Sequence, residues 1–303
     1  MRRVELPTVS ESVPGVTNGE PGAATRRAWR LPRRLLRHKL AFSCLGFLAL
    51  IHLVVFAGPL FWTLSPTTVD PLNTLAGFSA GHPLGVDDLG RDELSRMLAG
   101  GQVTLIVGFV SMIFLVIFGV LIGSTAAFLG GWVDAVLMRL TDTMMAIPSF
   151  FFVLVALTVV TSKDPVTIAV VIGASSWMPV TRVVYGETLQ WKARDFVEAA
   201  YAIGVPRRQI LLRHILPQMY SAVIVSATLG IANAILTESA ISYLGLGIQP
   251  PTASWGNMLK DAQGYIFMDQ NLALFPGVAI SVVVLAYNLL GDGLRDLLDP
   301  RLR

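Results

Sequence analysis

Residue types that do chemistry are few in this 303-residue chain, and their spacing excludes more than it offers. Its lysines are Lys39, Lys163, Lys192 and Lys260; none follows a glycine or precedes Ser or Thr, so a GK[ST] phosphate loop is absent. The four histidines form no HExxH pair, and no GxSxG nucleophile elbow occurs. Cys44 is the single cysteine, which rules out an intrachain disulfide and a thiolate metal cage and leaves a small packing residue. From His82 to Glu93 the run HPLGVDDLGRDE gathers a histidine with Asp87, Asp88, Asp92 and Glu93, enough to raise the question of a metal. These acids interleave with Gly85, Gly90 and Arg91, and Asp92 stands where a carboxylate starts a helix. A turn leading into a capped helix is the expectation, with no metal. A proton relay through lipid needs buried carboxylates. The clearest candidate is Glu238, with Arg182 towards the opposite surface; both are expected close to span ends, satisfied by water or backbone. The chain is expected to be no enzyme.

What remains is scaffold chemistry, and composition names the solvent. Hydrophobic residues make up 53% of the chain and charged residues only 14%, against about 25% charged in an ordinary soluble domain. A spanning helix needs roughly 20 apolar residues. Stretches free of Asp, Glu, Lys and Arg then predict six spans: within Leu40–Val69, within Met97–Val133, Thr143–Ser162, Pro165–Thr181, Ile215–Thr237 and Gln270–Gly291. A further uncharged stretch, Ser239–Leu259, holds Gly245, Gly247, Pro250, Pro251 and Gly256 and reads as a structured loop. The expected fold is all-α, a polytopic membrane protein with six transmembrane helices.

The net charge of +3 is local and does not trace a nucleic-acid footprint. Arg26, Arg27, Arg30, Arg33, Arg34, Arg37 and Lys39 precede the first span. With that end in the cytoplasm, Lys and Arg divide 19 inside to 4 outside, the outer ones being Arg91, Arg96, Lys163 and Lys260. Both termini are therefore expected on the cytoplasmic side. Residues 1–38 read as a basic cytoplasmic tail, its first 25 residues polar and disordered in expectation. The basic stretch lies too deep for a secretory signal, so the first span is a retained anchor. Residues 39–303 form the transmembrane domain, with a core at about 100–291. Gly119 and Gly123 make a GxxxG that permits close helix crossing, and Phe150, Phe151 and Phe152 are expected to face lipid or neighbouring helices.

The loop at 186–217, GETLQWKARDFVEAAYAIGVPRRQILLRHILP, carries most information. Asp195 and Glu198 have capping-box spacing, predicting a helix from Phe196 to about Ile203 with Asp195 as N-cap. Gly204 is placed to end it in the left-handed conformation, and Pro206 suits the first position of a second helix. Ile210, Leu211, Ile215 and Leu216 would form that helix's apolar side. Ala199 and Ala200 are small enough for another protein to approach the backbone closely. Together these residues describe a stiff two-helix elbow.

Glu198-Ala199-Ala200, Gly204 and Ile215-Leu216-Pro217 resemble the EAA loop of the inner-membrane permeases of ABC importers, the binding-protein-dependent transport family. HPLGVDDLGRDELSRMLAGGQVTLIVG from His82, ESAISYLGLGIQPPTASWGNML from Glu238 and NLLGDGLRDLLDPRLR at the C-terminus resemble its dipeptide, oligopeptide and nickel branch. The resemblance implies a type I importer core in a bacterial plasma membrane. It implies a heterodimer with a second permease, two ATP-binding subunits holding ATP and Mg, and an extracytoplasmic solute-binding protein. This chain would itself bind no cofactor. Coupling to the ATPase would fall to Asp195, Glu198, Ala199, Ala200, Gly204, Pro206 and Arg207. Asp87, Asp88, Arg91, Asp92 and Trp255 would belong to the docking surface for the binding protein; Trp255 reads equally as an interfacial anchor or part of the substrate mouth. Peptides are the expected cargo. Nickel or another small solute is an alternative, as is a stand-alone secondary transporter.

Overall fold

The computed structural model describes residues 39–298. Expectations for residues 1–38 and 299–303 lie outside the described residues. The regular structure is helical throughout the described residues: α1 (Lys39–Phe61), α2 (Glu93–Leu129), α3 (Gly131–Met145), α4 (Ser149–Val159), α5 (Pro165–Ser175), α6 (Met178–Lys192), α7 (Asp195–Ala202), α8 (Arg207–Gln209), α9 (Tyr220–Tyr243), α10 (Trp255–Ala262) and α11 (Asn271–Leu298). Four of these, α1, α2, α9 and α11, are long and apolar enough to cross a membrane unaided.

The third and fourth expected spans are each a bent pair. α3 and α4 meet at 91° and α5 and α6 at 47°, so the crossings number four, or up to six if each pair is one span. Apolarity alone does not report such bends. The α3–α4 break falls at Ala146–Pro148, where proline has no N–H to continue the first helix. The α2–α3 junction is two glycines, Gly130 and Gly131, with φ of +67° and +60°. Glycine alone adopts such angles in succession without strain.

Charge-free windows also misplace several ends. α2 begins one turn before Met97, because Asp92 caps it through its side chain and Glu93 is already helical. α9 runs past Thr237 through Glu238 to Tyr243, so the predicted loop is confined to residues 244–254 between α9 and α10.

α2 is the central element, with α1, α5, α6 and α9 packed on it. Its 37 residues make an unbroken rod of roughly 55 Å. Small residues allow the close approach. A Cβ on Gly119 would lie 2.6 Å from the Val180 side chain, and one on Gly123 would lie 2.5 Å from the Thr181 carbonyl oxygen. The GxxxG thus seats α2 on the backbone of α6. Apolar side chains such as Leu53, Leu121, Val155 and Leu285 point outward, as lipid permits and water does not. Phe151 is among these outward residues, while Phe150 packs against the cluster of Val107, Val153, Leu157, Ile168 and Ile172.

One consequence concerns stability. Gly123→Leu drives a side chain into backbone that cannot rotate away, an overpacking cost of about 1–3 kcal/mol. We expect a clear drop in the thermal midpoint of detergent-purified protein. Gly46→Leu, where nothing lies within 4 Å, is expected to leave it unchanged.

Candidate functional site

Two regions gather the polar residues, one at each end of α2. At its C-terminal end lies the elbow. α7 starts at Asp195, and its N-cap is Arg194, in extended conformation and with no side-chain cap bond. This corrects the capping box: Asp195 is the first helical residue, so neither it nor Glu198 closes the helix reciprocally. Both carboxylates instead sit in the first turn, where the positive end of the peptide dipoles favours them.

The C-terminal stop forms as expected. Gly204 has φ +80°, its N–H donates to the Tyr201 carbonyl at 3.0 Å, and the Val205 N–H donates to Ala200 at 3.0 Å. These paired bonds are a Schellman motif, and Val205 beyond the turn packs against the cluster that holds Ala200. Pro206 is the N-cap of α8, one position earlier than expected. The second helix then changes pitch, passing through a π segment, Ile210–Ile215, and a 3₁₀ turn, Leu216–Gln218.

Val197, Ala200, Ile210 and Ile215 are buried together with Phe128, Val184 and Met219. Ala200 therefore serves the chain's own packing, and of the paired alanines only Ala199 is open to another surface. The outward face of the elbow carries Asp195, Glu198, Ala199, Ala202, Ile203, Arg207 and Arg208. Ile203 is 80% exposed at its tip. An exposed isoleucine flanked by a carboxylate and two guanidinium groups is a surface shaped for contact.

The opposite end is a knot of ion pairs. Arg91 Nε bonds Asp87 Oδ2 at 2.6 Å, Arg96 Nε lies 3.2 Å from the same oxygen, and Arg96 Nη2 reaches Asp261 of α10 at 3.0 Å. Arg91 Nη2 lies 3.6 Å from Asp261 and 3.8 Å from Asp88. Asp92 accepts from Trp62 Nε1 and the Ser95 amide at 2.8 Å, and pairs with His82 Nδ1 at 2.8 Å. Burial raises the Asp92 carboxyl, but these bonds, led by the Ser95 hydroxyl, outweigh it and hold it below the usual carboxylate range. Burial and the neighbouring Asp87 charge push Asp88 the other way, upward. Among the described residues no group of His, Cys, Asp or Glu could hold a metal.

Asp87, Arg91 and Asp92 are all buried, so they shape this loop and do not present themselves to a docking partner; Asp88 alone of that set is partly open. Trp255 is corrected more strongly. At 2% exposure, with its indole N–H on the Met97 carbonyl at 3.0 Å, it neither anchors at an interface nor lines a mouth.

Glu238 is corrected too. It is fully buried, and the side chains bonded to it are hydroxyls. Ser242 Oγ donates to its Oε1 at 2.7 Å and Thr104 Oγ1 to its Oε2 at 3.2 Å. Those hydroxyls in turn accept the N–H groups of Ile248 at 3.1 Å and Trp255 at 3.2 Å. Glu238 thus ends two short hydrogen-bond chains that pin the 244–254 loop and the start of α10. Arg182, by contrast, is exposed and pairs with Asp142 of α3.

Four spanning helices and two bent pairs make this a multi-pass membrane protein by length and composition, and comparison with known proteins gives its family. Residues 119–303 match the family model described as the binding-protein-dependent transport system inner membrane component. Residues 24–77 match the N-terminal transmembrane domain of oligopeptide transport permease C. The chain belongs to the binding-protein-dependent transport system permease family: a multi-pass inner-membrane transport subunit, not an ATPase.

Its relatives are nearly full-length matches. An oligopeptide transport system permease protein of Haemophilus influenzae is 36% identical over 91% of this chain and 89% of its own length. A dipeptide transport system permease protein of Alkalihalophilus pseudofirmus is 37% identical over 89% of each chain. A glutathione transport system permease protein of Pectobacterium atrosepticum is 36% identical over 92% of this chain and 93% of its own.

Proposed function

We propose that this chain is one of two permease subunits of an ATP-driven importer of short peptides. The elbow from Glu198 to Pro217 is its seat on an ATP-binding subunit. The relatives named above transport oligopeptides, dipeptides and glutathione, and their common chemistry is the peptide bond with free termini. In this reading two partner subunits bind ATP and Mg, and a related permease completes the path. An extracytoplasmic binding protein delivers cargo to the end holding the ion-pair knot. Both termini lie in the cytoplasm, consistent with the concentration of Lys and Arg around the elbow and tail.

The observation that carries the reading is the elbow's construction. Its outer face is exposed and mixed in charge, while its inner face is wedged by Val197, Ala200, Ile210 and Ile215 against Phe128. A body that is gripped outside and packed inside transmits displacement to the helices behind it. A Glu198→Cys variant in a Cys44→Ser background tests the orientation. An impermeant maleimide is expected to label inverted vesicles and to spare intact cells; labelling of intact cells would place the elbow outside and end the proposal. Glu198→Arg is expected to cut uptake of a labelled tripeptide at least tenfold while the protein remains in the membrane.

A further inference from the structure

Lys192 is the last residue of α6, three positions before the elbow helix begins. Its ammonium reaches across to the end of α2. Nζ donates to the carbonyl oxygens of Phe128 at 2.8 Å and Ala127 at 3.1 Å, and lies 5.9 Å from the centre of the Phe128 ring. The carbonyls of a helix's last turn have no partner within the helix. Here Ala126 is satisfied by the Gly130 N–H at 3.0 Å, and Lys192 takes the next two. A cation at this position also meets the negative end of the peptide dipoles.

The placement matters because of what α2 does elsewhere. At its other end, in the first turn of the helix, Arg96 is tied to Asp87 and to Asp261. α3–α4 and α5–α6 are broken and bent, whereas α2 is one continuous helix. An unbroken helix carries displacement along its axis, whereas a bent pair absorbs it at the hinge. The elbow shares an apolar cluster with Phe128 of α2 through Val197 and Ala200, and the end of α6 that leads into it is held to α2 by the Lys192 clamp. Apolar packing lets surfaces slide; a charged group held by two carbonyls resists both sliding and separation.

We propose that Lys192 is a positioning residue for energy coupling, the joint through which movement of the elbow is passed to α2 and along it to the ion-pair knot at the far end. The inference rests on the elbow being the ATPase seat, and its test is arranged so that the two fail separately.

The experiment uses the complete importer, permeases with both ATP-binding subunits and the binding protein, in proteoliposomes. Peptide uptake and ATP hydrolysis are measured together, with a tripeptide that the wild-type complex carries. Lys192→Met keeps the stem and removes the donors and charge; Lys192→Arg restores charge and donors. For Lys192→Met we expect ATP hydrolysis to continue and peptide moved per ATP to fall at least fivefold, with Lys192→Arg recovering most of it. An unchanged peptide-to-ATP ratio in Lys192→Met overturns the inference. So does a fall in uptake that merely follows a lower yield of assembled complex, since that is the mark of a structural cap. Glu198→Arg is run alongside: if it leaves uptake normal, the elbow reading fails first, whatever Lys192 does.

Discussion

Gly204→Pro is expected to abolish peptide uptake while ATP hydrolysis by the partner subunits persists. Proline holds φ near −65° and has no N–H, whereas position 204 needs φ of +80° and donates to Tyr201 at 3.0 Å. Both requirements fail at once, and the chain past α7 must leave in another direction. Val205 then loses its bond to Ala200, and Ile210 and Ile215 lose their seat beside Phe128. Substitutions that strain the turn without breaking it should be graded. Alanine in the left-handed region costs roughly 1–2 kcal/mol, and asparagine less. Because nothing lies within 4 Å of a Cβ built at 204, these penalties are purely conformational and free of clash. The expected order of uptake is Gly, Asn, Ala, then Pro near zero, read as transport per ATP in proteoliposomes. Equal uptake for Gly and Pro would show that the elbow's angle is irrelevant.

Glu238 should dominate stability as Gly204 dominates coupling. Glu238→Ala strands the hydroxyls of Ser242 and Thr104, which now donate to its two oxygens, and opens a void between α2 and α9. Each buried donor left without an acceptor costs about 1–3 kcal/mol, so a loss of about 2–6 kcal/mol is expected for the pair. Glu238→Gln keeps one acceptor oxygen and the volume; only one hydroxyl faces an amide N–H₂, at a cost of about 1–2 kcal/mol. Thermal unfolding in detergent should therefore rank Glu above Gln above Ala. The looser variants should also admit protease to the 244–254 loop first. Indistinguishable melting of Glu238→Ala and the parent would mean that the two chains pin nothing.

Part of this was legible in the residues themselves. Uninterrupted apolar runs located α1, α2, α9 and α11, because lipid admits few alternatives to a long helix. Gly204 announced its own conformation, since a glycine after a short charged-start helix has a specific use. Asp92 likewise announced a cap. What failed to show had no local signature. The α3–α4 bend is the exception, since Pro148 marks the break, but neither its angle nor that of α5–α6 can be read from apolarity. Glu238 reads from sequence as a residue near a span end; the hydroxyls of Thr104 and Ser242 make its burial tolerable, and Thr104 is 134 positions away. Asp195 missed its expected place by one residue, a shift that spacing cannot resolve since Arg194 can adopt the extended cap conformation as readily. The clamp by Lys192 joins residues 64 and 65 apart, beyond the reach of any motif.

The bond from Arg96 to Asp261 spans 165 positions, and that interval is also an interval of time. At a synthesis rate of roughly 5–20 residues per second, Arg91 and Arg96 wait on the order of ten seconds or more for α10 to be made. Throughout that wait the carboxylates beside them are those made within a few residues, Asp87, Asp88 and Glu93. The knot therefore closes only after α10 has been made, well after the helix it steadies.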